Sequence, residues 1–349
     1  GLFDAHLPQY TTGDHRATAV APVANLEAVV ALAGINANAY PWVSSMFMRL
    51  DAAGRVKATS TVLGVPTVVT RMIAEDTIIV ALAHTLAPAE RIRMMQVQTK
   101  GGGLIIKTDH TVGDLGSRAT DLVKAKDGWQ LFGRYKPNNG FSEALLVRVS
   151  GSGKKLWQKT LKRDYGAELE GGAVGAGNAV GVNKVEFVAC GHIVDSPLNH
   201  SDAWLIGLDS AANPVFERRY DWETKDYCRD VQQVSGGYVM AGQAKTLKFY
   251  DSARLQKVDT AGRIRWSRVL AGEVGANLTR ISSMFGGHLA VTGTQAAVFA
   301  GERRNRGWLL DIATDTGKTH WERVWGSAAV ASVGAIAVDG KGHALVAGH

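Results

Sequence analysis

The stretch Gly236-Gly237-Tyr238-Val239-Met240-Ala241-Gly242 decides the fold, because it joins a glycine turn to an apolar run that ends in a small residue and glycine. The same ending recurs along the chain. Its copies are Leu32-Ala33-Gly34, Leu131-Phe132-Gly133, Ala189-Cys190-Gly191, Met240-Ala241-Gly242, Val291-Thr292-Gly293 and Val346-Ala347-Gly348, with Leu82-Ala83-His84 as a variant. Successive copies lie 50, 49, 58, 51, 51 and 55 residues apart. A repeat of about 50 residues with strand-like content predicts a radial array of small sheets, each buried against its neighbours.

Each repeat continues in the same way after its marker glycine. A second apolar strand leads to a tight turn, and a strand with a large apolar residue at a fixed place follows, as in Val258-Asp259-Thr260-Ala261-Gly262 and then Trp266. Asp and Gly favour such turns because they tolerate a positive φ. Each repeat is therefore predicted to form four antiparallel strands, A to D, with strand A innermost. Trp157, Trp266 and Trp321 share one place in the repeat and are predicted to be buried between neighbouring sheets.

The two ends of the chain complete this arrangement. Phe3-Asp4-Ala5-His6-Leu7 matches the D strands, whereas the last repeat supplies only strands A and B. We predict one all-β domain over residues 1–349, a seven-bladed β-propeller of four-stranded antiparallel blades, with the ring closed by an N-terminal strand. Residues 1–8 are predicted to complete the last blade, which then has three strands or takes strand C from elsewhere. The blades are predicted to start near residues 16, 67, 117, 171, 228, 278 and 331.

The repeats resemble the bacterial β-propeller repeats of the form GGYxxAG followed by AWLxxLDxxGxxxW. Residues 236–242, 203–209 and 258–266 carry the likeness most clearly. Residues 316–321, Thr-Gly-Lys-Thr-His-Trp, are also similar to the tryptophan-docking repeats of quinoproteins. The cofactor and calcium ligands of those enzymes are not found, so no cofactor is expected. The resemblance to exported bacterial propellers favours the periplasm or the cell surface.

Composition agrees with a well-packed domain. The chain has 349 residues, 46% of them hydrophobic, and 40 glycines. No stretch approaches the roughly 18 apolar residues of a membrane helix, so no membrane span is predicted. Since the chain begins with Gly1 and ends inside a repeat, we expect it to be part of a longer protein. Cys190 and Cys228 do not make a disulfide framework and are interpreted as small buried apolar side chains.

Charge and motifs exclude several classes of function. The net charge is +7, but the basic residues are spread over the repeats among 32 acids, so nucleic acid is not expected as a partner. The sequence Glu302-Arg303-Arg304-Asn305-Arg306 is interpreted as a solvated hairpin tip between strands B and C. No nucleophile elbow, metalloprotease helix, phosphate loop or Cys-x-x-Cys pair is present. His84, His192 and His349 end their B strands, which favours surface or capping roles over metal ligation.

Two groups of residues on one face are candidates for binding. Loops B–C and D–A emerge on the same side of a propeller, and exposed aromatic rings there mark partner surfaces. The loop-face candidates are Tyr40, Trp42, Tyr135, Phe249, Tyr250, Arg303, Arg304 and Arg306. Some of these aromatic residues could instead pack between blades.

The second group consists of arginines near the start of strand A, namely Arg71, Arg118, Arg229 and Arg280, with Arg16 less surely in register. Because strand A is innermost, their guanidinium groups are predicted to gather at the mouth of the central channel and to bind an anionic ligand. The alternative is that each one pairs with a nearby acid. The acids available in the D–A loops are Asp164, Glu168, Asp221, Glu223 and Asp226.

The sequence therefore leads to a main functional prediction and an alternative. The main prediction is a non-catalytic binding or scaffold module that holds a protein partner, or another segment of its own parent protein, on the face with loops B–C and D–A. The alternative is a small-molecule hydrolase or lyase, or a carbohydrate-binding propeller, with its site at the channel mouth. A deep axial pocket with converging acids and bases would favour the alternative.

Overall fold

The computed structural model describes residues 14–23, 27–35, 43–62, 65–86, 90–138, 140–175, 184–195, 200–245, 251–271, 274–299, 302–326, 333–339 and 341–348. Their regular structure is β-strand, apart from 3-10 turns at Lys100–Gly102 and Phe285–Gly287. The predicted all-β fold of four-stranded antiparallel sheets is confirmed. Residues 1–13 lie outside the described residues, so ring closure by residues 1–8 and the count of seven blades stay predictions.

In the described part of the chain, six four-stranded antiparallel sheets are followed by one two-stranded sheet, and we number them sheets 1 to 7 in chain order. Sheet 1 contains β1 (Asp14–Pro22), β2 (Ala28–Ile35), β3 (Val43–Leu50) and β4 (Val56–Thr61). Sheet 2 contains β5 (Thr67–Glu75), β6 (Ile78–Thr85), β7 (Ile92–Gln98) and β8 (Ile105–Thr111). Sheet 3 contains β9 (Ser117–Ala125), β10 (Gly128–Tyr135), β11 (Glu143–Ser150) and β12 (Lys155–Leu161).

The remaining sheets repeat this order. Sheet 4 contains β13 (Ala167–Val174), β14 (Phe187–Val194), β15 (Ser201–Leu208) and β16 (Pro214–Tyr220). Sheet 5 contains β17 (Lys225–Val234), β18 (Gly237–Lys245), β19 (Asp251–Val258) and β20 (Ile264–Ala271). Sheet 6 contains β21 (Ala276–Ser283), β22 (His288–Phe299), β23 (Glu302–Ala313) and β24 (Thr319–Trp325). Sheet 7 contains β25 (Val333–Val338) and β26 (Ala344–Gly348). A single parallel bridge, Ser201 to Lys225, joins sheets 4 and 5.

The core lies between the sheets rather than inside any one of them. One cluster of buried apolar side chains fills each junction between successive sheets, for example Val69 and Ile79 of sheet 2 against Val29 of sheet 1. A further cluster packs Ala335 and Ala347 of sheet 7 against the other side of sheet 1. The first sheet therefore packs directly against the last, and this packing closes the ring.

Every first strand carries one extra residue opposite the second strand of its sheet, a β-bulge at the same place in each repeat. The bulge residues are Thr18, Thr70, Thr120, Glu170, Arg229, Thr279 and Gly334. Three of the threonine hydroxyls also approach a carbonyl oxygen of the next sheet; that of Thr120, for example, lies 2.9 Å from the carbonyl oxygen of Leu169. The bulges thus link neighbouring sheets by hydrogen bonds around the centre of the ring.

The marker glycine stands beside this bulge, and close approach of the two strands explains it. A Cβ atom at Gly133, Gly191, Gly242 or Gly293 would lie 1.9–2.0 Å from a carbonyl oxygen of the first strand. Leu32 and Ala83 hold the same register position in sheets 1 and 2, opposite Ala17 and Val69. The marker positions chosen from the sequence were therefore wrong in these two sheets. Gly34 lies two residues after the observed position in sheet 1, and His84 lies one residue after it in sheet 2, because the apolar runs of these sheets end later.

Cys190 and Cys228 form a disulfide, so their interpretation as unpaired side chains was wrong. Both are fully buried, as expected. Cys190 lies in β14 and Cys228 in β17, with their Cα atoms 5.7 Å apart although 38 residues separate them in sequence. The ring brings strand B of one sheet against strand A of the next, and the spacing of two cysteines cannot reveal that contact.

The tryptophan prediction fails at one of its three positions. Trp157 and Trp266 are half-buried in the junctions that follow their sheets, whereas Trp321 is 41% exposed. Trp266 packs on Gly317, which is in the turn between the third and fourth strands of sheet 6 and has φ +67°. No such turn of sheet 7 is among the described residues for Trp321 to pack against.

Candidate functional site

A cavity of about 520 Å³ opens along the centre of the ring. Residues from the first strand of every sheet line it, including all seven bulge residues. Four arginines and one glutamate supply the charges of its described lining: Arg16, Arg118, Arg229, Arg280 and Glu170. The lining is therefore strongly positive, and a concave positive site concentrates anions.

The four predicted arginines fall at three different depths, because they differ in register relative to the bulge. Arg118 lies two residues before the bulge residue of its strand, and Arg229 is itself a bulge residue. Arg71 and Arg280 each follow the bulge directly. Arg118, Arg229 and Arg280 line the cavity, whereas Arg71 is not among its described lining residues.

The residues that follow the bulges form a buried ion cluster below the lining. Arg71 Nε lies 3.1 Å from Asp121 Oδ1, and Arg280 Nη1 lies 3.9 Å from Asp121 Oδ2. Arg280 Nη2 also donates a hydrogen bond of 3.0 Å to the carbonyl oxygen of Thr120 in sheet 3. Burial raises the pKa of Asp230 to about 6; Arg280 and Arg71 lower it, and Asp121 raises it. Of these four residues only Arg280 is among the described lining residues, so the cluster lies behind the cavity surface.

At one place in the ring the pattern of threonines is broken by a pair of charges. The bulge residue is threonine in sheets 1, 2, 3 and 6 and glycine in sheet 7, but Glu170 in sheet 4 and Arg229 in sheet 5. Arg229 Nη1 donates to Glu170 Oε1 at 2.8 Å. When most repeats keep one residue type for packing but two neighbouring repeats replace it with charged residues, the replaced residues are candidates for a functional site.

A histidine and a tyrosine lie beside this charged pair. The rings of His192 and Tyr227 meet edge to face with centroids 4.8 Å apart, and the Arg229 guanidinium lies 5.0 Å from the centre of the Tyr227 ring. Burial lowers the pKa of His192; Glu168 and Glu170 act in the opposite direction, and Arg229 lowers it further. His192 Nδ1 is buried and has no hydrogen-bond partner among the described residues. His192 and Tyr227 are not among the described lining residues of the cavity and lie beside Glu170 and Arg229, where a neutral imidazole is suited to proton transfer.

Charged residues continue from this group along the wall toward sheet 2. Arg134 Nη2 lies 3.2 Å from Glu90 Oε2, and its Nη1 lies 3.4 Å from Glu168 Oε1. Burial, together with the charges of Arg118 and Arg134, lowers the pKa of His84 to about 3. His84 is therefore neutral at physiological pH.

Arg118 has no ion pair with any described residue, and its Nε atom is buried without a partner. The other predicted arginines are compensated, Arg229 by Glu170 and Arg71 and Arg280 by Asp121. None of these partners is among the acids that the sequence suggested. Arg118 is thus the guanidinium best placed to bind an anion in the cavity.

The prediction of a surface role was wrong for His84, which is only 2% exposed, whereas His192 is half-buried. Both stand one residue after the marker position, opposite Val68 and Glu168 of the first strands. Gln243 has the same register in sheet 5, and it lines the cavity. The recurrence of histidine at this register was the signal that could have identified them.

The loop-face candidates do not form one described surface. Tyr40, Trp42, Phe249 and Tyr250 lie outside the described residues, and Tyr135 ends β10 packed against a core cluster. Placement of the basic run in a loop was also wrong. The backbone of residues 303–306 belongs to β23, which pairs with β22 from Phe299 and Glu302 onward. Arg303, Arg304 and Arg306 therefore extend a long hairpin, and their binding role stays a prediction.

Comparison with known proteins identifies the fold. No protein-family model matches the chain, and no curated protein matches its sequence significantly. The structure is similar to Sqt1 from Chaetomium thermophilum, with a TM-score of 0.53 and 11% identity over 92% of this chain and 74% of that one. It is also similar to the β-propeller domain of the Trilobed protease from Pyrococcus furiosus, which has an open velcro topology, with a TM-score of 0.52 and 8% identity over 94% and 88%. The protein is a β-propeller.

The main functional prediction, a non-catalytic scaffold, is wrong on this comparison. The propeller of the Trilobed protease is a domain of an enzyme. At 11% and 8% identity, the likeness to these two structures establishes only the fold. The alternative prediction, a site at the channel mouth, fits these findings better.

No helix in the described residues is long and apolar enough to cross a membrane. The disulfide between Cys190 and Cys228 is of a kind that persists in oxidising compartments.

Proposed function

We propose that this protein is an enzyme that acts on a small anionic molecule, a hydrolase or lyase with its site in the cavity at the channel mouth. The observation that carries the proposal is the break in the threonine ring. Glu170 and Arg229 replace threonine in adjacent sheets and face one cavity, and His192 and Tyr227 lie beside them. A cavity of about 520 Å³ is of the size that holds a small metabolite.

The arginines set the class of substrate. Arg118 is uncompensated in the described structure, and Arg16 is exposed on the same lining. Guanidinium groups bind carboxylate and phosphate through paired N–H donors. No Trp, Tyr or Phe is among the described lining residues, so the cavity offers no stacking surface for a sugar ring. We therefore favour a carboxylate or phosphate substrate over a carbohydrate ligand.

His192 supplies proton transfer in this proposal. Burial lowers its pKa and keeps the ring neutral at pH 7, so it can accept a proton. Glu170 stabilises the imidazolium that results, while its bond to Arg229 holds it in place. The disulfide that ties the strands of His192 and Arg229 together supports an exported location, the periplasm or the cell surface.

The anion site is tested by calorimetric titration with citrate and with inorganic phosphate at low and moderate salt. We expect Arg118→Ala to weaken binding at least about tenfold, in the range found when a charge-assisted hydrogen bond is lost. Arg55→Ala is the matched control, because Arg55 is 81% exposed in a turn outside the cavity. Equal affinity for citrate and phosphate in the wild-type protein and in Arg118→Ala would contradict the proposed anion site.

The catalytic part is tested separately with carboxylate-bearing esters, lactones and hydroxy acids. His192→Gln should abolish turnover of any substrate that the wild-type protein converts, while the affinity for the anionic probe is kept. Undiminished turnover in His192→Gln would contradict its role as the base.

A further inference from the structure

Two histidines and a carboxylate meet on the face of sheet 6 opposite the channel mouth. His288 opens β22, Asp311 lies near the end of β23, and His320 is the second residue of β24. His288 Nδ1 lies 2.6 Å from Asp311 Oδ1, and His320 Nδ1 lies 3.2 Å from Asp311 Oδ2. One ligand atom from each residue can be chosen so that all three lie within 4.8 Å of one another.

Three of the other sheets carry a basic residue where sheet 6 carries Asp311, whereas sheets 2 and 4 have Gln96 and Gly207 there. In the third strand of sheet 6, Asp311 is the last residue before a register shift relative to the fourth strand. The equivalent position is held by Arg49 in sheet 1, Arg148 in sheet 3 and Lys257 in sheet 5. Each of these basic residues pairs with an acid, as Arg49 does with Glu27 at 2.6 Å. Sheet 6 instead has a carboxylate here, and its partners are imidazoles.

Asp311 is a buried carboxylate without a permanent positive charge beside it. The residue is 5% exposed, and no Lys or Arg pairs with it among the described residues. A buried anion that lacks a compensating cation is strongly destabilising. A divalent metal ion would supply that charge, since a bound ion is the largest local charge of such a site.

We propose that His288, Asp311 and His320 bind one divalent transition-metal ion of the zinc type. Imidazole nitrogen and carboxylate oxygen suit zinc, copper and nickel, whereas magnesium and calcium require a shell of oxygens. Zinc binds such atoms at about 2.0–2.2 Å, which places tetrahedral ligand atoms roughly 3.4 Å apart. The spacings of 2.6 and 3.2 Å are those of hydrogen bonds, so the side chains would separate by up to about 0.8 Å to admit the ion.

The site would keep an open position. Three protein ligands leave a fourth tetrahedral place for water, and the His320 side chain is 68% exposed, so that place faces solvent. The three ligands come from three adjacent strands, so the metal would also fasten the two outer strands of sheet 6 to β22.

The test is zinc titration of the EDTA-treated, full-length chain, with a chromogenic chelator as competitor. We expect one zinc ion per chain and an affinity at least about tenfold lower in His320→Gln, since removing one of three ligands costs at least as much as removing a supporting partner. His320→Gln should fold, because the side chain is mostly exposed. The matched control is His343→Gln, since His343 Nδ1 pairs with Asp339 Oδ2 at 2.8 Å on the same face without a second histidine.

Thermal unfolding gives an independent readout. Zinc should raise the melting temperature of the wild-type protein and of His343→Gln, but not that of His320→Gln or Asp311→Asn, because a ligand stabilises only the state that binds it. Magnesium at the same concentration should have no effect. Zinc binding that is equally strong in His320→Gln, or that is lost equally in His343→Gln, would overturn the proposal.

Discussion

Asp226, at the start of β17, is a carboxyl group whose burial disfavours its charged form. It is fully buried, and its Oδ2 accepts hydrogen bonds from the backbone N–H groups of Trp222 and Glu223 at 2.5 and 3.0 Å. Its Oδ1 has no partner among the described residues. Burial raises the pKa of Asp226 to about 6; the two backbone hydrogen bonds lower it, and Asp221 and Asp202 raise it.

This shift predicts how stability depends on pH. The folded protein binds the Asp226 proton at a higher pH than the unfolded chain does, so this group's contribution to the free energy of unfolding falls as pH rises from about 4 to about 6. Asp226→Asn keeps an oxygen for both N–H donors and removes the charge. The variant should be more stable than the wild-type protein at pH 7 by roughly 1–3 kcal/mol, and this gain should vanish near pH 4. Urea unfolding at both pH values checks this, and a pH-independent difference would contradict it.

At the same scale, the sequence located the arginines of the first strands but not their depth. Arg71 and Arg118 look equivalent in the repeat, yet one lies in the ion cluster and the other lines the cavity. The bulge between Val69 and Arg71 separates them, because one extra residue changes the side to which every following side chain points. The bulges cannot be recognised from the sequence, because their positions are held by four different residue types: threonine, glutamate, arginine and glycine.

Among the elements, β14 and β17 carry the asymmetric part of the site. The disulfide joins them directly behind it, since Cys190 precedes His192 by two residues and Cys228 is flanked by Tyr227 and Arg229. The sequence predicted both strands and the burial of both cysteines. It could not predict the bond, which depends on how two successive sheets face each other.

Removing this bond should affect stability and the site together. For a 38-residue separation the chain-entropy estimate is about 4 kcal/mol, so Cys190→Ala with Cys228→Ala should lower the free energy of unfolding by up to that amount. Citrate affinity should also fall, because the strands of His192 and Arg229 lose their covalent link. Wild-type protein unfolded with and without reductant provides the control. Unchanged stability in the double variant would show that packing alone fixes the two strands.

Over the whole molecule, periodicity predicted the architecture because each sheet depends only on its two neighbours. The spacing of marker residues is enough to place successive four-stranded sheets, even where the marker itself is displaced, as with Leu32 and Ala83. The closing junction has no signal of this kind. It is formed by Ala335 and Ala347 against Val30 and Met48, small or flexible apolar side chains that look like any others in the repeat.

This junction predicts that the ring unfolds as one unit. Met48 is fully buried between sheets 1 and 7, so Met48→Ala should lower the free energy of unfolding by about 2–5 kcal/mol. Every tryptophan except Trp42 lies at or beyond residue 129, so fluorescence mainly reports on sheets 3 to 6. In a closed ring the loss at Met48 should shift the fluorescence transition in urea, whereas Ile105→Ala, at a residue 52% exposed, should leave it unchanged. If the ring were open at this junction, sheets 1 and 7 would fray separately, and the fluorescence midpoint of Met48→Ala would stay at the wild-type value.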